Sequence, residues 1–331
     1  MAFEAWVEAC LYDPDDGFYS TGGGAGRHGD FLTSPEIGPL FGAVLAEWMD
    51  ARWEAVGCPP GFTVVEAAAG AGTLARAVYA AGPKCLEQGR YVMVERSAVL
   101  REAHPTGGNL SSVVGLSHVG PVKHGVVLAN ELLDNLAFGI LEAADGVWRE
   151  VRVDLDPEAS GLFREVLGDP ANPPVAIEDA ATKPGARIPV QTAAKVWVVN
   201  ALDLMTSGSL LVIDYASTTR DMAYRPSGEW LRTYRGHDRG GPPLVNPGYQ
   251  DVTVEVAVDQ LPDGAVVGTQ ADFLVANGIA NLVDDGLRLW EDRAHLGDLK
   301  ALQARSRIAE SEALLDPSGL GGFTVLEWTQ P

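Results

Sequence analysis

The sequence predicts an α/β fold: a central, mostly parallel sheet with helices on both faces, an N-terminal lid, and inserted segments forming a smaller second region. Three observations carry this. Thr63 to Ala81 reads as a buried strand, a small-residue turn and a helix in direct succession. The apolar runs Tyr91–Val94, Gly125–Ala129 and Ser209–Tyr215 end in polar residues, as parallel strands do where they open into a crevice. Between these runs lie long stretches without clear periodicity, which fit insertions.

In chain order, Phe3 to Leu11 reads as a short amphipathic helix, stopped by the turn-formers Tyr12-Asp13-Pro14-Asp15-Asp16-Gly17. A glycine-rich stretch from Gly22 follows and runs into a helix over about Pro35–Val56. Ser34 is its expected cap, Pro35 its first helical residue and Glu36 an acid in its first turn. That helix should bury Ile37, Leu40, Phe41, Val44, Leu45 and Trp48. Gly29, Asp30, Thr33 and Ser34 are expected in a lid over a ligand, since glycine with polar donors suits a closing loop.

The first core strand rests on Phe62, Val64 and Val65, and the helix after it on Leu74, Ala77 and Val78, with Thr73 as the expected cap. Ala67, Ala68, Ala69, Gly70, Ala71 and Gly72 between them have almost no side-chain volume, so a ligand can lie against bare backbone at a helix N-terminus. Gly70, Gly72 and Ala75 satisfy G-x-G-x-x-G/A, and Glu95 ends the next strand where an acid would hold a ribose. Glu66 decides between dinucleotide and sulfonium cofactors. Its carboxylate repels a pyrophosphate and attracts a sulfonium ligand carrying an ammonium group. A close-packed turn with no ligand is the alternative. The expected cofactor contacts are Gly29, Asp30, Thr33, Ser34, Glu66, Ala68, Gly70, Gly72, Thr73, Leu74, Glu95, Arg96 and Asn130.

Further on, Gly146–Val153 alternates as a strand and is expected to pair with Arg187–Val190; Asp154–Gly185 between them is an unassigned insertion. Thr192–Leu204 reads as a helix. The stretch from Asp221 to Pro247 holds Arg225, Arg232, Arg235, Arg239 and His237 among glycines and prolines, a basic loop able to reach a partner's acids or to pair with the chain's own. Strand and helix pieces follow to Leu315, and Gly322–Trp328 is expected as an antiparallel edge strand. This divides the chain into residues 1–36 (helix and lid), 37–145 (core), 146–190 (insertion), 191–220 (core), 221–310 (substrate region) and 311–331 (last core strand).

Composition narrows the partners. With 24 Lys and Arg against 45 Asp and Glu, the net charge is −21, which disfavours a nucleic-acid partner and suits a basic protein segment. No stretch reads as a membrane span or signal peptide, so a cytoplasmic protein is expected. Cys10, Cys58 and Cys85 show no ligand or disulfide spacing and are expected as buried thiols; no metal is expected. Neither monomer nor homodimer is favoured.

The E-x-A-x-G-x-G pattern from Glu66 to Gly72 resembles the class I S-adenosylmethionine-dependent methyltransferase motif, with Ala68 at its first glycine. Tyr12–Ser20 (YDPDDGFYS), Gly26–Gly42 (GRHGDFLTSPEIGPLFG), Val64–Ala75 and Gly125–Phe138 (GVVLANELLDNLAF), together with Leu210–Ala216 (LLVIDYA) and Asp316–Trp328, closely resemble the MidA-like family of such enzymes, which includes a mitochondrial assembly factor for respiratory complex I. The resemblance spans essentially the whole chain. It implies a class I methyltransferase (Rossmann-like) fold, S-adenosylmethionine as cofactor and methylation of an arginine in a protein partner, with a respiratory-complex subunit as one such partner.

For an arginine acceptor, which stays protonated, a pair of carboxylates is the natural fork. Glu131 and Asp134, just past the fourth strand, are the candidates, with His237 as a possible general base. The competing structural reading makes Asn130 and Asp134 helix caps and Glu131 a dipole partner. Two other functions stay open at this point: a non-catalytic assembly factor that keeps the fold, and a nicotinamide-dependent oxidoreductase.

Overall fold

A computed structural model describes residues 1–21, 23, 33–159, 161–177, 183–236 and 238–331. Gly29, Asp30 and His237 lie outside the described residues.

The chain opens with α1 (Phe3–Tyr12), α2 (Ser34–Ile37) and α3 (Pro39–Ala55). Then come β1 (Thr63–Ala67), α4 (Thr73–Ala81), β2 (Arg90–Val94), α5 (Ala98–Glu102), β3 (Leu110–Val113) and β4 (Val122–Asn130). A first inserted stretch holds β5 (Gly139–Ala144), β6 (Val147–Leu155), β7 (Phe163–Pro170) and β8 (Arg187–Val190), after which α6 (Thr192–Asp203) leads to β9 (Met205–Asp214). A second holds β10 (Ala216–Ser217), α7 (Thr219–Tyr224), α8 (Ser227–Trp230), β11 (Leu231–Arg235), β12 (Asp238–Arg239), β13 (Asp251–Val254) and β14 (Val256–Ala257). The chain returns through β15 (Val266–Thr269), α9 (Gln270–Ala276), α10 (Ile279–Arg293), α11 (Leu299–Leu315) and β16 (Thr324–Gln330).

The central sheet runs β3-β2-β1-β4-β9-β16-β15, parallel as far as β9 and antiparallel at β16 and β15. β16 is antiparallel as expected, but it lies inside the sheet. β15, exposed along all four residues, takes the edge. Adjacent strand residues feed opposite faces: Val64, Val126 and Leu211 pack under α3 and α4 with Phe41, Val44 and Val78, while Val65, Val127 and Leu210 pack under α6 with Ala194 and Val198. Close backbone approach pins β1, β4 and β9 together. A Cβ at Gly208 (φ 137°) would lie 1.7 Å from the Gly125 carbonyl oxygen, and one at Gly125 2.2 Å from that of Thr63.

Several boundaries differ from expectation. The helix predicted from Pro35 breaks at Gly38, where the backbone is extended, because Pro39 starts a new helix whose Leu40 N–H donates to Glu310 on α11 (2.9 Å). Ser34 is not a cap: Thr33 holds the N-cap position without a side-chain bond, and Ser34 Oγ instead donates to Gln270 (2.8 Å). β6 and β8 do not pair. The small antiparallel sheet runs β7-β6-β5-β8, with β5 between them and β7 inside the stretch that showed no periodicity. This second region is held by α1, whose Phe3, Trp6 and Leu11 pack with Phe138, Val151, Trp230 and Val252. Arg225 and Arg232 do not reach outward; both pair with Glu255 (2.6 and 2.7 Å). Cys10 and Cys85 are buried, but Cys58 is exposed, in a left-handed turn after α3.

Candidate active site

A cavity of about 450 Å³ opens above the C-terminal ends of β1, β2 and β4, where a parallel sheet leaves a crevice between its connections. Thr33, Glu66, Ala68, Gly70, Thr73, Leu74, Glu95, Arg96, Asn130 and Glu131 all line it. Ser34, Gly72 and Asp134 do not.

The turn from Ala68 to Gly72 is built from left-handed residues: Ala68 at φ 53°, Gly70 at 54° and Gly72 at 79°. Ala68 thus keeps the backbone that glycine would adopt, at a steric cost. Gly72 is the N-cap of α4, and Thr73, expected as its cap, is the first helical residue; no side chain caps α4. A Cβ on Gly72 would meet Pro105 at 2.7 Å, so this glycine is required by packing from behind. The first N–H groups of α4 therefore stay available beside Thr73 and Leu74 to an anionic ligand group.

Two carboxylates flank that turn. Glu66, at the end of β1 and 5% exposed, accepts a hydrogen bond from the Tyr91 phenol (2.7 Å), and burial raises its pKa to about 8. Glu95, just past β2, accepts N–H bonds from Gly70 (2.9 Å) and Ser97 (2.8 Å); burial still raises its pKa. Each Glu95 oxygen keeps a lone pair for a ligand hydroxyl.

Residues not expected at the site complete it. The buried His104 ring bonds the Gly70 carbonyl oxygen through Nε2 (2.9 Å) and Ser112 Oγ through Nδ1 (2.8 Å). Since a carbonyl can only accept, Nε2 carries the proton, and burial lowers the ring's pKa. Tyr12 and Tyr19 stack at 5.5 Å between centroids and line the cavity with Asn135. The Arg96 guanidinium lies 4.3 Å over the Tyr12 ring and pairs with Glu8 (2.7 Å). Trp197 and Asn200 of α6 line the same cavity, with Leu116 beside them. Their sequence signal was an ordinary amphipathic helix.

At the end of β4, Asn130 Nδ2 donates to Glu131 Oε1 (3.1 Å), while Asn130 Oδ1 is buried without a donor. Glu131 sits at φ 52°, its N–H donating to the Ile213 carbonyl (2.8 Å) and its carboxylate accepting the Ser34 backbone N–H. Burial, then repulsion from Asp134, pushes its pKa up to about 8. The expected Glu131–Asp134 fork is not formed. Leu133–Asn135 is a single 3₁₀ turn, so neither residue caps an α-helix, and Asp134 Oδ2 accepts from the Thr253 hydroxyl (2.6 Å) on β13.

Chemically, the cavity offers an uncapped helix N-terminus for a carboxylate, Glu66 for an ammonium group, Glu95 for hydroxyls, and Asn130 Oδ1 for a donor it lacks. That set fits an S-adenosylmethionine-type ligand, and Glu66 does not suit a pyrophosphate.

The chain is similar to a Burkholderia thailandensis protein crystallised with S-adenosyl-homocysteine, at 25% identity and a TM-score of 0.79, covering 99% of this chain and 87% of that one. Among curated proteins it is similar to the mitochondrial protein arginine methyltransferase NDUFAF7 homologue of Drosophila melanogaster, 28% identical over 283 residues, which cover 76% of this chain and 63% of that protein. It is likewise similar to mitochondrial protein arginine methyltransferase NDUFAF7 of Homo sapiens, 27% identical over 287 residues, covering 76% and 62%. The match thus spans less than two thirds of these relatives' length. Both are named as mitochondrial, which overturns the expectation of a cytoplasmic protein. Among the described residues no helix is long and apolar enough to cross a membrane. Residues 44–276 match the family described as "Putative S-adenosyl-L-methionine-dependent methyltransferase", and the chain belongs to that family.

Proposed function

We propose that this methyltransferase modifies the guanidinium of an arginine in a protein partner, with S-adenosylmethionine as donor. The observation that carries the acceptor is Glu131, a carboxylate on the cavity wall in an enforced left-handed turn, with no ion pair among the described residues. The names of the curated relatives support arginine, and the net charge of −21 suits a partner whose target lies in a basic segment. A respiratory-complex subunit is the partner class to test first.

When bound, the cofactor supplies an electrophilic methyl group on a sulfonium. The first N–H groups of α4 would receive the carboxylate of its amino acid portion, Glu66 the ammonium group and Glu95 the ribose hydroxyls. Leu116 and Trp197 give the base an apolar wall. Thr33 lines the site, and Arg96 braces Tyr12 at its mouth.

Glu131 meets an acceptor that arrives as a cation. With its pKa pushed up to about 8, Glu131 holds a proton at neutral pH; the entering guanidinium favours the carboxylate form and displaces it. The carboxylate then accepts guanidinium N–H bonds and aligns one nitrogen for in-line attack. Forming the N–C bond would break the donor's methyl–sulfur bond and leave a neutral thioether, and the proton shed by that nitrogen would pass to the Glu131 carboxylate.

Glu131→Gln keeps the shape and removes the charge. It should leave cofactor affinity within about twofold and lower kcat/KM for an arginine peptide by about 30- to 150-fold, the value of a charge-assisted hydrogen bond of about 2–3 kcal/mol. Unchanged turnover refutes the role. Mass spectrometry of proteins whose arginine methylation disappears when the chain is deleted identifies the acceptor.

A further inference from the structure

Two carboxyls beneath Glu131 take no part in the reaction described above. Asp134 and Asp214 are 4% and 1% exposed. Asp214, the last residue of β9, accepts backbone N–H bonds at both oxygens: Oδ2 from Leu133 (2.9 Å) and Asp134 (3.3 Å), Oδ1 from Tyr215 (2.9 Å). The Asp134 side chain lies within hydrogen-bonding reach of the Asp214 side chain, yet its Oδ1 has no donor. Two ionised carboxylates can only repel each other; one proton between them supplies the missing donor. The groups facing the pair are Glu131 on the same turn, Asp251 from β13, Tyr12 and Tyr19 from the N-terminal segment, and Tyr215 after β9. Each is neutral or negative, so none of them favours a second ionisation.

We propose that Asp134 and Asp214 share one proton and, as a carboxyl–carboxylate pair, position Glu131 for the acceptor; this rests on the reading of Glu131 given above. Burial raises both carboxyls above the usual carboxylate range, Asp214 the further, and the proton lies between the donorless Asp134 Oδ1 and Asp214. The pair acts through the backbone. Asp214 holds the amides of Leu133 and Asp134, while the neighbouring Ile213 carbonyl holds the Glu131 N–H (2.8 Å). Glu131 keeps its φ of 52° only while these bonds over-determine the turn. Loss of the shared proton sets two like charges side by side and loosens it. Neither aspartate lines the cavity, so both are positioning residues.

The test compares Asp134→Asn, Asp134→Ala and Asp214→Asn. At 134 an amide imitates the acid: its N–H₂ donates to Asp214 and its oxygen accepts from Thr253. Asp134→Asn should keep kcat within about threefold and remove the fall in kcat that the wild type should show once alkaline pH strips the shared proton, whereas Asp134→Ala should lose about 30-fold in kcat with cofactor Kd within about twofold. Asp214→Asn should resemble Asp134→Ala, because its amide nitrogen would face a backbone N–H. Melting temperature against pH gives a readout free of catalysis. A carboxyl whose folded pKa is raised contributes stability at low pH that is lost as pH rises from the unfolded carboxylate range, about 4, through the folded pKa, so over that rise the wild type should lose more than Asp134→Asn. Equal kcat and equal melting profiles for Asp134→Asn and Asp134→Ala overturn the shared proton. If those differences hold but Glu131→Gln turns over like the wild type, the positioning role and the acceptor reading fall together.

Discussion

The Tyr91 phenol donates a 2.7 Å hydrogen bond to Glu66 Oε2 from the neighbouring parallel strand, fixing a carboxyl group at the floor of the cavity. The bond partly offsets burial, which still pushes the Glu66 pKa to about 8. Glu66 is therefore protonated in neutral solution, and a ligand ammonium group must displace that proton. Cofactor affinity should rise about tenfold per pH unit between about pH 6 and 8, with one proton released per cofactor bound. The stability sign is opposite: the protonated Glu66 favours folding at low pH, and that contribution is lost as pH rises from the unfolded carboxylate range through about 8. Calorimetry in two buffers of different ionisation enthalpy counts the proton, and Tyr91→Phe should move the affinity curve to higher pH.

Ala68 holds a left-handed backbone that costs a non-glycine residue about 1–2 kcal/mol. Ala68→Gly removes that strain and adds some unfolded-state entropy, so a net gain of about 0.5–1 kcal/mol is expected, or about 2 °C in melting temperature. Cofactor affinity should be unchanged, since the turn already has the required shape.

His104 ties the Gly70 carbonyl to Ser112 from behind the turn. His104→Ala leaves the half-buried Gly70 carbonyl without its partner, while the exposed Ser112 hydroxyl can turn to water, at a cost of about 1 kcal/mol in chemical denaturation. The loosened turn should also raise the cofactor Kd about tenfold, while His104→Asn should recover part of both losses.

Gly208→Ala places a Cβ 1.7 Å from the Gly125 carbonyl oxygen, in backbone rather than side chain, at a left-handed φ of 137°. Neither β4 nor β9 can yield without breaking the register that carries Asn130 and Asp214. The variant should lose more than about 3 kcal/mol of stability or fail to accumulate as folded protein, as a melting curve will report.

The half of the site on strand ends was legible because a buried parallel strand announces itself by an unbroken apolar run, and the residue ending it must face the crevice. Glu66, Glu95 and Asn130 followed from that rule, and the small residues from Ala67 to Gly72 from the need for close approach. Tyr12, Tyr19, His104 and Trp197 were not legible as site residues. They come from the N-terminal segment, the end of α5 and α6, and reach the site through packing that leaves no local pattern. The spacing of Glu131 and Asp134 misled for a related reason: three residues apart would make a fork on an α-helix, but a left-handed Glu131 followed by a single 3₁₀ turn separates them. β7 was missed because prolines and acids around it hid an alternation that pairing with β6 satisfies.

Crystals grown with millimolar S-adenosyl-homocysteine test the donor site most directly. Density is expected with the amino acid end at the start of α4 beside Glu66, the ribose on Glu95 and the sulfur directed toward Glu131. An adenosine located elsewhere, or a cavity empty at that concentration, contradicts the account.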